Sequence, residues 1–216
     1  RGKLLVRERI NLLLDPNTLS EDGTVAFAGM DVTPNGKYLV YKIARSGSDW
    51  NEIFIKDIET GELLKDHIKW VKFSGLACFE DGFFYSAYDK PNEGEELSNA
   101  NKGQKIFYHK IGESQENDEL VFSNPAMPKR MYRGYIDEER ENLFIYELES
   151  TSGNGLYLKS LKNKNAKVIQ LAEGFENDFT PITIVNGKVL VLTNHDAPKY
   201  RVIAIDPHYP TSAYWK

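Results

Sequence analysis

The sequence predicts an all-β protein, a partial β-propeller of about four four-stranded antiparallel blades preceded by the outer strands of an earlier blade. Three observations predict it. Four hairpin-like stretches line up on one another, they recur at the interval of a propeller blade, and no segment competes as a helix. The aligned residues Phe54, Phe107, Tyr157 and Val202 lie 53, 50 and 45 residues apart. A four-stranded unit repeating every ~40–50 residues is the mark of a blade. A β-sandwich with chance similarity between hairpins is the alternative, but sandwiches seldom keep so regular a period.

The elements follow in order. "KLLVRERI" and "INLLLDPN", within 1–22, read as outer strands of a preceding blade. Four blades follow, at 23–69, 70–127, 128–174 and 175–216. Their a–b hairpins are "GMDVTPNGKYLVYKI", "GLACFEDGFFYSAY", "RGYIDEERENLFIYEL" and "TPITIVNGKVLVLT". Three turns contain Asn35-Gly36, Asp81-Gly82 and Asn186-Gly187; such pairs favour the positive φ of a tight hairpin. The third repeat uses Glu138, Glu139 and Arg140, which predicts a longer or different turn. The b runs are apolar on both faces, as expected of strands sandwiched between blades.

The c strands are "EIFIKDI", "KIFYHKI", "GLYLKSL" and "YRVIAID". The d strands are "GELLKDHI", "DELVFS" and "KVIQLA", and "SAYWK" reads as the start of one more. "DEEREN" is too short for a stable helix of its own. The polar stretch Asp89–Gln104 reads as a loop insertion within a blade.

Composition narrows the function. Hydrophobic residues make up 41% and charged residues 27% of the 216, ordinary for a globular chain. The 32 acidic and 27 basic residues give a net charge of −5, which argues against nucleic acid or an anionic membrane as partner. No apolar run approaches the ~20 residues of a membrane helix. The start, "RGKLLVRERI", is not a signal peptide and has no initiator methionine, so the chain is expected to begin inside a longer protein. The single cysteine, Cys78, excludes an internal disulfide, and its apolar setting reads as a core position.

A search for chemistry finds no catalytic set. The nucleophile turn G-x-S-x-G is absent, and Ser46, Ser48, Ser74, Ser152 and Ser160 have the wrong neighbours. His67, His109, His195 and His208 lack metal-ligand spacing, so neither a metal nor a cofactor is expected. No phosphate-cradling loop is present. Glu95/Glu96 and Glu138/Glu139 read as solvated surface. His195 beside Asp196, at the end of an apolar run, looks like part of a hydrolase site only when read alone.

The motifs "DPNTLSEDGT", "SGSDW", "VKFSGLACFEDGFFYSAYDKP", "KIFYHKIG" and "TNHDAPKYR" form an ordered set over almost the whole chain. In that order the sequence resembles the propeller of the prolyl oligopeptidase family of serine peptidases. The resemblance implies a seven-bladed propeller over an α/β-hydrolase domain with a Ser-Asp-His triad. It implies an enzyme that cleaves short peptides after proline, with the propeller restricting large substrates. The triad belongs to the catalytic domain, so this chain is expected to be inactive alone, with no catalytic residue of its own.

Strand order places the b–c loops Arg45–Trp50, Asp89–Gln104, Ser150–Asn154 and Asn194–Lys199 on one face. The resemblance turns that face toward the catalytic domain of the same polypeptide. Ser48, Asp49, His195 and Asp196 are then domain-facing. Ser48 and Asp49 also read as loop caps, with Trp50 as anchor. Met131 matches a substrate-lining methionine of the family; a gap-filling role between blades stands beside that reading. Leu148 and Thr151 replace an arginine and a cysteine of the mammalian type, so that contact is not carried over.

The expected partners are the catalytic domain and short proline-containing peptides, with self-association through exposed blade faces. A soluble protein is expected, and the sequence leaves its compartment open between cytoplasm and periplasm. The alternative function is a stand-alone propeller-like binding module. A G-x-S-x-G followed by Asp and His in adjoining sequence would separate the two.

Overall fold

The computed structural model describes residues 14–15, 18–92 and 101–216. Most of the expected outer strands of the preceding blade, and the centre of the Asp89–Gln104 loop, lie outside those residues. The described strands are β1 (Val25–Val32), β2 (Tyr38–Arg45), β3 (Asn51–Asp57), β4 (Leu63–Phe79), β5 (Gly82–Ala87), β6 (Lys105–Lys110) and β7 (Glu119–Ser123). They continue with β8 (Met131–Ile136), β9 (Asn142–Leu148), β10 (Gly155–Ser160), β11 (Ile169–Ala172), β12 (Phe179–Val185), β13 (Lys188–Thr193) and β14 (Arg201–Ile205). No α-helix occurs among the described residues.

Neighbouring strands pair antiparallel, as a row of meanders. β8–β11 form a four-stranded sheet and β12–β14 a three-stranded one. At the end of the latter, Lys216 exchanges both backbone hydrogen bonds with Ala204 of β14, at 2.8 and 3.3 Å. Of the segment read as the start of a fourth strand, Lys216 alone pairs with β14; Ser212–Tyr214 form a single 3-10 turn instead.

β1–β7 form one seven-stranded sheet because β4 does not stop between blades. Its first half is the d strand beside β3, and its second half is the a strand beside β5. The pairing with β5 skips from Val71 to Leu76, and Trp70 and Phe73 adopt left-handed φ of 61° and 54°. These two residues turn the chain from one blade into the next without a loop.

The core explains why the b strands are apolar on both faces. Val40 of β2 packs with Ile53, Ile68, Cys78 and Phe83, between the first two blades of the seven-stranded sheet. Its neighbours Leu39, Tyr41 and Ile43 pack on the opposite face with Leu14. β9 repeats the pattern: Leu143 and Ile145 join Ala77, Phe84 and Ile106, while Phe144 joins Phe179, Val189 and Val191. The b strands β2 and β9 thus bury both faces, at ~25 cal/mol per Å² of apolar surface removed from water.

The turns separate glycine's two uses. Asn186 and Gly187 have φ of 50° and 75° and close a two-residue hairpin from Val185 to Lys188. At Asp81-Gly82 the positive φ falls on Glu80 instead, at 47°. Gly82 is there for space, since a Cβ would collide with the His109 carbonyl and the Tyr108 ring. The first turn is longer than a two-residue hairpin: Gly36 N–H donates to the Thr33 carbonyl (2.8 Å), with Gly36 at φ 70°. The third turn has the same form, with Arg140 N–H on the Asp137 carbonyl (3.0 Å) and Arg140 at φ 55°. The Asp137 carboxylate accepts from the backbone N–H of Glu141 and Asn142.

Candidate functional site

The loops from b to c strands and from d to a strands gather at one edge of the sheets. Three of them meet around Trp50. Its ring stands edge-on to Trp70 and Tyr88, with centroids 5.9 and 5.8 Å away. Lys72, in the strained crossing of β4, lies 5.3 Å from the Trp50 ring and 3.4 Å from the Asp49 carboxylate. Ser48 Oγ accepts the Trp50 N–H at 3.1 Å, a cap made possible by left-handed Ser46 and Gly47. Asp49 is exposed, and Ser48 is half-buried beneath it. The first loop therefore offers a carboxylate on an aromatic base.

Side-chain amides tie these loops to the next blade. Gln104 Oε1 accepts the Tyr132 N–H at the start of β8, and its Nε2 donates to the Lys72 carbonyl. Asn154 does the same one blade on: Oδ1 accepts the Phe179 N–H (2.9 Å) and Nδ2 donates to the Phe179 carbonyl (2.9 Å). Within the last blade, Asn194 Oδ1 accepts the Asp178 N–H at 2.8 Å and ties the b–c loop to the start of its own β12. A buried amide satisfying two backbone groups fixes where the loop sits and spares both groups the cost of an unmade hydrogen bond.

Met131 is the half-buried first residue of β8 and stands opposite Leu148 of β9. Beside it Arg130 bonds Glu149 (3.0 Å) and Glu147 (3.1 Å), and its guanidinium lies 4.8 Å from the Phe175 ring. Glu147 is 1% exposed and also accepts from the Tyr132 and Tyr157 hydroxyls, at 3.1 and 3.0 Å. Burial first, then this carboxylate, pushes both phenols above the ordinary tyrosine range. The arrangement is a fixed charge network under the methionine, with no nucleophile in it.

His195 and Asp196 sit where β13 hands over to β14. Asn194–Ala197 and Ala197–Tyr200 form two successive turns, with Asp196 and Tyr200 at φ 49° and 65°. His195 Nε2 is 3.4 Å from Asp196 Oδ2, and its ring stands edge-on to Trp215 at 5.2 Å. A shallow cleft of about 300 Å³ here is lined by His195, Asp196 and Ser212 among others. No hydrogen bond joins Ser212 to His195, so these three residues do not form a nucleophile–base–acid relay. His195 instead packs as a half-buried ring.

The four loop residues and Met131 thus lie along one edge but in separate neighbourhoods: Ser48 and Asp49 on the Trp50 cluster, Met131 on the Arg130 network, His195 and Asp196 by Trp215. Arg130, Glu147, Gln104 and Asn154 were not singled out from sequence. The available signal was a lone charge inside an apolar run, as with Glu147 in "NLFIYEL".

Comparison with known proteins agrees with this architecture. The family model described as prolyl oligopeptidase, N-terminal β-propeller domain, matches residues 5–216. Prolyl endopeptidase of Elizabethkingia meningoseptica is 36% identical over 209 residues, covering 96% of this chain and 30% of the relative. Prolyl endopeptidase of Dictyostelium discoideum is 30% identical over 237 residues, covering 89% of this chain and 31% of the relative. Among solved structures, prolyl oligopeptidase B of Galerina marginata, bound to a 25mer macrocyclization substrate, superposes with a TM-score of 0.79 at 27% identity, over 89% of this chain and 29% of that one. The chain spans about 30% of the length of the curated relatives it matches.

Proposed function

The chain belongs to the prolyl oligopeptidase family, through its N-terminal β-propeller domain, and on that premise we propose that it is the substrate-gating portion of a serine-type prolyl endopeptidase. In this reading the whole protein cleaves short peptides after proline, and the Ser-Asp-His triad lies in an α/β-hydrolase domain of the same polypeptide. The observation that carries the reading is the family match over 5–216, with relatives that are prolyl endopeptidases of about three times this length. The gathered b–c loops support it, because one edge then presents Asp49, Met131 and His195 together toward a partner domain. Among the described residues no helix is long and apolar enough to cross a membrane.

The test is cleavage of a short peptide by the full-length protein. Hydrolysis after proline is expected, with loss when alanine replaces that proline and no activity from residues 1–216 alone. A folded full-length protein that leaves the peptide intact overturns the reading. For residues 1–216 alone we also propose self-association, supported by the open apolar face of the β12–β14 sheet.

A further inference from the structure

Two cations converge on the inner edge of the sheets, where β1, the second half of β4, and β8 lie side by side. Lys42 of β2 stands opposite Gly29 of β1. A Cβ on Gly29 would sit 3.2 Å from Lys42 Cε, so the absent side chain leaves the lysine stem its path. On the next blade a Cβ on Gly75 would sit 3.2 Å from Arg133 Cγ and 3.0 Å from the Gly134 carbonyl. Lys42 Nζ donates to the carbonyl of Ser74, the residue before Gly75. Two glycines on neighbouring inner strands thus admit one cationic stem each to the same stretch of backbone.

Among the described residues neither Lys42 nor Arg133 forms an ion pair. Burial first, then repulsion from Arg133, holds the Lys42 ammonium down to about 8. Arg133 is exposed, so the pair is open to solvent-borne ligands. Like charges held together at a half-dry surface cost free energy, and a bound anion offsets both the repulsion and the desolvation.

We propose that Lys42 and Arg133 form a carboxylate-binding position on the inner edge of the propeller, taking the free C-terminal carboxylate or an acidic side chain of a peptide. The guanidinium fork of Arg133 matches a carboxylate's two oxygens, and Lys42 adds a point charge. The Ser74 carbonyl beside the ammonium disfavours a dianion such as phosphate. The proposal concerns binding by this chain and does not require the peptidase reading.

The experiment titrates residues 1–216 with one tetrapeptide in three forms: uncharged with an amidated C-terminus, the same with a free C-terminal carboxylate, and amidated with one glutamate. At least one carboxylate form is expected to bind roughly tenfold tighter than the uncharged one, the worth of one charge-assisted hydrogen bond. Which form gains tells the source of the carboxylate. Lys42→Met and Arg133→Gln should each erase the difference. Arg133 is exposed, so its variant folds and decides the matter even where Lys42→Met does not. Equal binding of all three peptides, tighter binding of inorganic phosphate than of either carboxylate peptide, or an undiminished preference in Arg133→Gln overturns the proposal.

Discussion

At the scale of single residues, two buried charge networks among the described residues sit where blades meet. His109, wholly buried on β6, is held between Asp118 (Nδ1 to Oδ1, 2.7 Å) and Asp66 (Nε2 to Oδ1, 3.0 Å). Asp66 belongs to the d half of β4 and also accepts the Gly112 N–H, while Asp118 accepts the Tyr85 hydroxyl. Burial alone opposes the imidazolium, but the bonds to Asp118 and then Asp66 outweigh it, so the pKa stands above 6.5 in the folded chain. The stabilisation is therefore complete below the unfolded value near 6.5 and is lost as pH rises through the folded one. Urea unfolding should show lower stability at pH 8 than at pH 6, and His109→Gln should flatten that difference; an unchanged slope in the variant refutes the assignment. Glu147 makes a second case. Glu147→Ala leaves two phenols without their acceptor and Arg130 with only the exposed Glu149, and should cost roughly 3 kcal/mol of unfolding free energy. Glu149→Ala, on the exposed partner of Arg130, should cost well under 1 kcal/mol, so the two denaturation midpoints separate a buried network from a surface pair.

At the scale of elements, two glycines in similar turns do different work. Gly36 has φ 70° and open space around it, so Gly36→Ala costs only the left-handed strain, about 1 kcal/mol. Gly82 has no positive φ, yet its Cβ would meet the His109 carbonyl and Tyr108 ring. Gly82→Ala should therefore lose more, roughly 3 kcal/mol, as read by chemical denaturation; an equal loss at both positions would contradict the packing argument. The same contrast shows what the sequence could convey. "VNGK" announces its turn because both residues need left-handed φ, and the structure uses them so. "EDGF" announces a hairpin correctly, but its glycine answers to a neighbouring strand that the local sequence does not reveal. The continuity of β4 was not legible either, because the chain bends at Trp70 and Phe73, residue types that do not announce a bend. The b–c loops could be placed on one edge from strand order alone. Lys42, Arg130 and Glu147 could not be assigned, since each is a lone charge in its own strand or loop and gains meaning only from partners contributed by other elements.

At the scale of the whole molecule, the sheets follow one rule and the last sheet departs from it. Within the row, each blade has both faces covered: β9 sends Leu143 and Ile145 to one neighbour and Phe144 to the other. The β12–β14 sheet buries Val189, Val191, Ile203 and Ile205 on one side only. On the other side Leu192 pairs across with Val202, and these are 37% and 52% exposed. Ile182 of β12 adds a further exposed apolar side chain at 53%. An apolar sheet face spread over three strands is a surface that seeks cover, and in dilute solution of this chain alone the available cover is a second copy. Light scattering should accordingly show a mass that grows with concentration. Leu192→Lys together with Val202→Lys should shift that equilibrium toward monomer at modest cost in stability, because both side chains are partly exposed in the single chain and a lysine can reach water from either position. A monomer at every concentration, or association that survives the double substitution, would place the sticky surface elsewhere or remove it. Because Ser48, Asp49 and Met131 lie on loops and strands of the other blades, the same double variant should leave the Trp50 and Arg130 clusters intact, so that restoring the flanking sequence would still test them for contact with a partner domain.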